Sequence, residues 1–414
     1  MVKAWFEIAL WKRVLGALIL GVIVGSVIGE AAENIKWIGD LFVRMIRMLV
    51  MPLIFTTIVA GIYAMGDPKR LGSIGLRAFI LFLGTTACAI VIGLIMGTLL
   101  QPGAGVDLSD ANPRVLGEPM TLADRLLGIV PSNPIEALAG GQVLPTIFFA
   151  VLFGIAVIAA GEKGRPVGDV INSASEAILK LAFMVMELAP FGVFALIAWV
   201  AGTKGAETLL NILTLTIAVY AGCLIHIVVV HGGLIRLVAG LPAFTFFRGA
   251  VDPQLVAYST SSSAATLPVS LTAAEENLGV RPVVASSVLP LGATINMDGT
   301  ALYVGIVALF AAQAFGIELG LVDYLVIALT TILVSIGSAS VPSASLFLLA
   351  AVLGGIGISA EQTAIIVGFI LPFDRILDMM RTAVNVTGDL AVATTVAKLE
   401  GELDEEVFRA APEL

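Results

Sequence analysis

The stretch Asp374-Arg-Ile-Leu-Asp-Met-Met-Arg-Thr-Ala-Val-Asn-Val-Thr-Gly-Asp389 decides how this chain is read. It sets two arginines, three aspartates and an asparagine in a segment that otherwise has the composition of a membrane helix. A charge at bilayer depth costs about 2.5–3.5 kcal/mol on insertion scales, and is kept only where it faces a protein interior or a wet cavity and has a partner. At about 100° per residue, Asp378, Arg381, Thr382, Asn385 and Asp389 fall on one narrow stripe. The stripe offers an anion, a cation, a hydroxyl, an amide and a second anion. That set suits a small zwitterion carrying an extra carboxylate, with room for a cation. Ion pairs that only pin helices together are the competing reading, but such a pair needs two groups and the stripe has five.

The rest of the chain supplies a membrane for that helix. Of 414 residues, 58% are hydrophobic and 13% charged, against about 25% charged in soluble domains. Mean hydropathy is +1.04. A polytopic membrane protein follows, embedded among lipids. The net charge of −9 says little about partners, since the acidic tail Glu400, Glu402, Asp404, Glu405 and Glu406 reads as a solvated face. No basic patch is interleaved with aromatics, so no nucleic-acid partner is expected. Cys88 and Cys223 lie far apart in apolar stretches and read as buried free thiols. His226 and His231 lie near the end of one helix, and two histidines alone do not make a metal site.

Lys3, Lys12 and Arg13 precede the apolar run 14–28 in the manner of a secretory signal. Further spans follow at once, so an uncleaved first helix with a cytoplasmic N-terminus is expected, and the C-terminus on the same side. Lys69, Arg70 and Arg77 after the second span, and Lys163 and Arg165 after the fourth, agree with the positive-inside rule. The acid-leaning segment 101–125 belongs outside. The sequon Asn385-Val-Thr387 lies inside the polar helix and is not expected to carry glycan. The plasma membrane of a prokaryote is the expected location, the inner membrane in a Gram-negative cell.

Apolar stretches able to cross a bilayer of about 30 Å run over 14–32, 36–64, 70–99, 142–161, 171–201 and 205–239. Prolines in Ile129-Val-Pro-Ser-Asn-Pro134 and Gly140-Gly-Gln-Val-Leu-Pro145 should bend or interrupt the chain before the fourth. From 242 the character changes. Ser259-Thr-Ser-Ser-Ser-Ala-Ala-Thr-Leu-Pro268 and Ser335-Ile-Gly-Ser-Ala-Ser-Val-Pro-Ser-Ala-Ser345 interrupt two hydrophobic stretches. Each is followed by a long apolar helix with polar residues at its middle: Asn296-Met-Asp-Gly-Thr300 in the first, the opening stripe in the second. This is an internal repeat of kind. Paired interrupted segments point to a transporter site near the bilayer midplane, where non-helical backbone must be buried or line a cavity. Close helix–helix contact through small residues is the plainer reading of either Ser-rich run alone.

Asn296 and Asp298 supply the hard oxygen donors that a desolvated Na⁺ requires. Gly292 and Gly299 loosen the backbone around them. Thr85 and Thr86 add adjacent hydroxyls, although such groups usually bond their own preceding turn.

With Ser261–Pro268, Gly140–Pro145, Gly292–Thr300 and Asp374–Asp389 in view, the chain resembles the dicarboxylate/amino acid:cation symporters, the family of glutamate and aspartate transporters, over nearly its whole length. The resemblance implies an all-α homotrimer with eight transmembrane helices and two re-entrant helical hairpins per protomer, built from inverted repeats and working as an elevator. Scaffold helices would occupy 1–69 and 101–201. The transport domain would comprise 70–100 and 202–398, with hairpins near 242–278 and 322–356, and 399–414 would be a cytoplasmic tail. By the same resemblance, Asp378 binds the substrate ammonium and Arg381 its side-chain carboxylate. Thr382, Asn385, Thr300, Ser262 and Ser263 complete the pocket, with Gly337, Ser338, Ala339, Ser340 and Val341 of the second tip. Na⁺ is implied as the co-transported ion. One set of ligands is Asp389 with the carbonyls of Gly292, Asn296 and Asn385. A second is Thr85, Thr86, Asn296 and Asp298 with the Phe82 carbonyl. A third is Thr294 with the backbone of Ser335, Ile336 and Ser338.

The chain also departs from the family's pattern. Ser340, Ser343 and Ser345 stand where many relatives have glycine. Ser261 and Met379 occupy positions where archaeal and animal relatives, respectively, place an arginine. Arg375 either serves in its place or pairs with an acid outside the pocket. Val304 replaces the glutamate that animal relatives carry, so proton coupling through that residue is not expected. The reading is a secondary active symporter, not an enzyme, importing L-aspartate and/or L-glutamate with Na⁺. The alternatives are a C4-dicarboxylate symporter, a proton-coupled acidic amino acid symporter, a neutral amino acid exchanger, and a channel or sensor. Asp378 argues against the dicarboxylate substrate, which has no ammonium to pair it. Arg381 argues against the neutral one.

Overall fold

The structure, a computed structural model, describes residues 10–64, 68–106, 127–128, 130–203, 207–336 and 345–410. It is helical throughout, and the only strand-like feature among these residues is an isolated bridge between Val280 and Leu403. Helix α1 is Leu10–Ile28, α2 Lys36–Ala64 and α3 Pro68–Leu100. A 3₁₀ segment, Gly29–Ile35, joins the first two.

After the segment rich in proline and glycine come a short helix α4, Pro134–Ala139, and α5, Val143–Ala159. Asn133 caps α4 by accepting from the Ile135 and Glu136 amides, with Pro134 at the first turn, where a missing N–H costs nothing. The stretch 171–201, expected to be one span, is two helices: α6, Arg165–Met186, and α7, Ala189–Thr203. The break falls just before Pro190, whose ring excludes a continuous helical bond there. Next to it, Glu187 reaches Arg13 of α1 at 2.7 Å, and the arginine is buried.

Helix α8, Glu207–Ile225, continues into π-helical turns at His226–His231 and Leu234–Val238. The first Ser-rich run is a helical hairpin. Helices α9, Ala243–Gly249, and α10, Val251–Thr260, lead to a tip at Ser261 and Ser262, and α11, Ser263–Glu276, returns. Ser261 holds a left-handed backbone, φ 53°, which a non-glycine residue adopts rarely. Ser262 then caps α11 by accepting from the Ala265 amide at 3.2 Å. Helices α12, Pro282–Ile295, and α13, Asp298–Ala314, are separated by a break at Asn296 and Met297. The second interrupted segment begins as α14, Leu321–Ile336, and resumes as α15, Ser345–Gly355. Its tip, including Gly337, Ser338, Ala339, Ser340, Val341 and Ser343, lies outside the described residues. Helix α16, Ala360–Glu400, is continuous over 41 residues, roughly 60 Å at 1.5 Å per residue.

Apolar side chains point outward as well as inward. On α3, Leu76, Ile80, Leu83, Val91, Ile95 and Leu99 are exposed, while Ala78, Phe82, Thr85, Thr86, Ala89 and Ile90 are buried. An apolar surface of that extent suits lipid, since soluble monomers rarely show it. Four stretches of the described residues are long and apolar enough to cross a membrane: Lys12–Phe42, Gly72–Leu100, Ile212–Val238 and Pro282–Ala314. Cys88 corrects an expectation. It is free but exposed, on the outward face of α3, whereas Cys223 is free and buried.

The helices pack in two groups. Helices α1, α2, α5, α6 and α7 contact chiefly one another, and α3, α8, α10, α11, α12 and α13 gather around α16. The acidic residues of the tail are exposed or half-exposed, while its backbone docks: Asp404 donates its amide to Gly279 O at 2.7 Å and caps α17, Glu405–Arg409. Phe408 is fully buried in an apolar cluster with Leu278, Val280 and Val396. Hydrogen bonds from Lys398 and Arg409 hold the Glu405 carboxyl below the usual carboxylate range.

Candidate binding site

Helix α16 presents its polar stripe to the protein interior. Asp378, Arg381, Thr382, Asn385 and Asp389 are all buried, Arg381 completely. Small residues let neighbouring elements reach this helix. A β-carbon at Gly299 would stand 2.4 Å from the Arg381 carbonyl oxygen, so the backbones of α13 and α16 touch there. At Gly292 a β-carbon would lie 2.5 Å from an Asp389 carboxylate oxygen. Both glycines therefore act through close approach; the loosening of the helix lies at Asn296 and Met297 instead.

Two clusters result. In the first, Arg381 donates Nη2 to Asp378 at 2.7 Å and to Asp374 at 3.0 Å. Its guanidinium carbon lies 3.9 Å from the centre of the Tyr303 ring, a cation–π contact. Nε and Nη1 of Arg381 are buried with no hydrogen-bond partner among the described residues. Thr382 turns its hydroxyl back to the Asp378 carbonyl at 2.8 Å, and Thr300 is buried nearby on the first turn of α13. Arg375 donates to the Thr260 carbonyl at the first hairpin tip, 3.2 Å, and no salt bridge from it to an acid is found among the described residues. Ser263 at that tip is buried.

The second cluster lies at the break between α12 and α13. Asn296 donates to Asp389 at 3.0 Å and to the Asn385 carbonyl at 3.4 Å. Asn385 spends its side-chain oxygen on the Gly299 amide at 2.8 Å and its nitrogen on Met297 Sδ at 3.2 Å. Thr86 donates to Asp298 at 2.7 Å. Thr85 bonds its preceding turn at Phe82 O, 3.1 Å, and also lies 3.3 Å from both Asn296 Oδ1 and Asp298 Oδ1. Amide, hydroxyl, carbonyl and carboxylate oxygens thus converge as a hard monovalent cation needs. Of the third expected set, the Thr294 hydroxyl bonds the preceding turn of its own helix at Leu291 O, 2.9 Å, and Ser338 lies outside the described residues.

Several participants were not picked out from the sequence. His226 and His231 both place Nε2 at 3.1 Å from Asp298 Oδ2. Five residues apart on one helix, they are not neighbours in a regular α-helix, which is why the spacing gives no signal. Asp374 could have been found, since with Asp378 and Arg381 it makes an i, i+4, i+7 series on one face. Tyr303 gives no sequence signal.

Comparisons with known proteins bear on the family of the chain. The profile of the sodium:dicarboxylate symporter family matches residues 10–399. The proton/sodium-glutamate symport protein of Geobacillus stearothermophilus is 38% identical over 96% of this chain and 95% of that protein. The proton/glutamate-aspartate symporter of Escherichia coli is 36% identical over 95% of this chain and 93% of its own length. A C4-dicarboxylate transport protein of Azorhizobium caulinodans is 35% identical over 97% and 91%. With a match over nearly its full length and the polar helix buried at its centre, the chain belongs to the sodium:dicarboxylate symporter family, whose members are transporters and not enzymes.

Proposed function

We propose that the protein imports L-aspartate and/or L-glutamate together with Na⁺. The observation that carries this is the first cluster. Arg381 is buried, is neutralised by two aspartates, and still has Nε and Nη1 without partners among the described residues. A guanidinium with a free edge inside a protein is a receptor for a carboxylate. Asp378, 2.7 Å away, is placed to take an ammonium when a substrate carboxylate takes its place on Arg381. A substrate with both groups exchanges one set of charge pairs for another, so neither acid nor base is left bare. The substrate is thereby an acidic amino acid. A C4-dicarboxylate would leave Asp378 facing a second anion.

Na⁺ is cargo at the second cluster. Asp389, with the Gly292, Asn296 and Asn385 carbonyls, and Asp298, with Thr85, Thr86, Asn296 and the Phe82 carbonyl, are the ligand sets this reading uses. Transport follows an elevator cycle in a homotrimer in the plasma membrane, with both termini cytoplasmic. The segregation of helices into one group around α16 and another around α2 and α7 supports a mobile and a fixed part. Coupling arises because ligand and cation favour the same closed state and must raise each other's affinity equally.

The test is calorimetric binding of L-aspartate to the purified protein across a Na⁺ series at fixed ionic strength, at two pH values. Aspartate affinity should rise steeply with Na⁺, with K⁺ and choline ineffective. A flat response to Na⁺ with a strong response to pH would identify a proton-coupled symporter and remove the Na⁺ assignments.

A further inference from the structure

The two histidines form an arrangement that neither substrate nor cation binding, as assigned above, uses. Both are fully buried. They occupy the ends of a π-helical segment, His226–His231. In a regular α-helix, residues five apart lie roughly 140° apart around the axis at about 100° per residue. A π-helix bonds residue i to i+5 and brings those two positions over one another; such turns are rare and recur at functional sites. Here the two rings stand 4.6 Å apart at an interplanar angle of 84°, and both meet one oxygen, Asp298 Oδ2. A carboxylate oxygen only accepts, so each ring presents Nε2–H to it. Both Nδ1 atoms are left buried without a partner among the described residues. The helix thus gives up regular backbone geometry and two hydrogen bonds to aim two donors at one atom.

The opposite side of the same oxygen is shaped to match. At Gly388 of α16 a β-carbon would come within 2.5 Å of Asn296 Nδ2, 3.0 Å of His231 Nε2 and 3.1 Å of Asp298 Oδ2. Glycine there admits the cluster. The other carboxylate oxygen, Oδ1, faces Thr85 and Thr86.

We propose that His226 and His231 are positioning residues that brace the Asp298 carboxylate through Oδ2 and leave Oδ1 as its single contact for the cation beside Thr85, Thr86 and Asn296. The brace sets the cation affinity of that position without touching the substrate. It rests on the reading of Asp298 as a Na⁺ ligand. Groups behind a metal ligand fix its orientation, and their loss typically costs about 10–100-fold in metal affinity.

The experiment compares His226→Met and His231→Met, which remove the donor, with His226→Gln and His231→Gln, whose amide nitrogen can donate at similar reach. The readouts are the Na⁺ concentration for half-maximal L-aspartate binding, aspartate affinity at saturating Na⁺, and the rise in unfolding temperature caused by Na⁺ alone. The Met variants should need about tenfold more Na⁺ and lose most of the Na⁺-induced thermal shift. The Gln variants should recover both, and aspartate affinity at saturating Na⁺ should stay at the parental value throughout. His226→Asn and His231→Asn, whose shorter amides fall short of Oδ2, should shift the Na⁺ requirement in the same direction and decide the matter if the Met variants do not fold. A parent that responds to Na⁺ beside Met and Asn variants with its own Na⁺ requirement overturns the brace. So does a loss of aspartate affinity equal at every Na⁺ concentration. A parent with no Na⁺ response overturns both the brace and the cation reading beneath it.

Discussion

Helix α16 carries two buried acid clusters that solve the same problem in opposite ways. Around Asp378 the acids meet a permanent cation, Arg381, at 2.7 and 3.0 Å. Around Asp389, eleven residues and roughly 16 Å further along the axis, no arginine or lysine lies within ion-pair distance of Asp389 or Asp298 among the described residues. Their partners are an amide, two hydroxyls and two imidazoles. Isolated buried charge is strongly unfavourable unless paired. The first cluster is compensated from within and needs a ligand only to exchange partners. The second has neither arginine nor lysine to compensate it among the described residues. On the proposed reading, the site with a built-in countercharge sets specificity and the site without one sets coupling.

That division is broken most severely at Arg381. Arg381→Cys should lower L-aspartate affinity by two to three orders of magnitude, because losing one partner of a buried ion pair costs about 3–5 kcal/mol. The variant should admit serine or alanine. Calorimetry with aspartate and serine decides it, and near-parental aspartate affinity would sink the substrate assignment. Asp378→Asn keeps the shape and removes the charge. It should weaken aspartate by one to two orders, since a hydrogen bond to a charged group contributes about 1.5–3 kcal/mol, while succinate loses little or gains. Competition of labelled aspartate by succinate is the measurement. If the parent already prefers succinate, the dicarboxylate reading wins. In the second cluster, Asp389→Asn should leave folding and assembly intact and flatten the Na⁺ dependence of aspartate binding, raising the Na⁺ requirement about tenfold as a ligand charge is removed. A parental Na⁺ curve from a folded Asp389→Asn protein would detach that residue from coupling.

The two clusters were not equally legible in the sequence. The first is largely local: periodicity finds Asp378 and Arg381 on one element, and Asp374, at the same helical spacing, was within its reach though not picked out. The first hairpin and the break at Asn296 are local too, written in Ser-rich runs around a proline and in a polar insertion into an apolar helix. The second cluster is assembled from α3, α8, α12 and α16, and a sequence without contacts cannot pair Thr86 with Asp298. The histidines were hidden further by the π-helical turn, which changes the period on which helix reading depends. The break before Pro190 was lost because the apolar run continues through it. The docking of the tail leaves no signal because its solvated charges outnumber Phe408, the single aromatic residue that anchors it.

The mildest perturbation tests whether the second cluster depends on close approach as well as on charge. At Gly292 a methyl group would stand 2.5 Å from an Asp389 oxygen, 2.9 Å from its carboxylate carbon and 2.9 Å from the edge of the Phe82 ring. One of those groups must move. Forcing an extra methyl into packed surroundings costs about 1–3 kcal/mol, and here the carboxylate is the neighbour that can swing away, because the ring is wedged in the core at 1% exposure. Gly292→Ala should therefore leave aspartate affinity at saturating Na⁺ unchanged while raising the Na⁺ needed for half-maximal binding about fivefold, the lower end of that energy scale. The first cluster should be indifferent, so the succinate-to-aspartate preference stays at the parental ratio. An unchanged Na⁺ requirement would mean that Asp389 serves its cation from a position clear of the Gly292 backbone. A shift in substrate preference would mean that the two clusters are mechanically joined through α16 and do not divide the work between them.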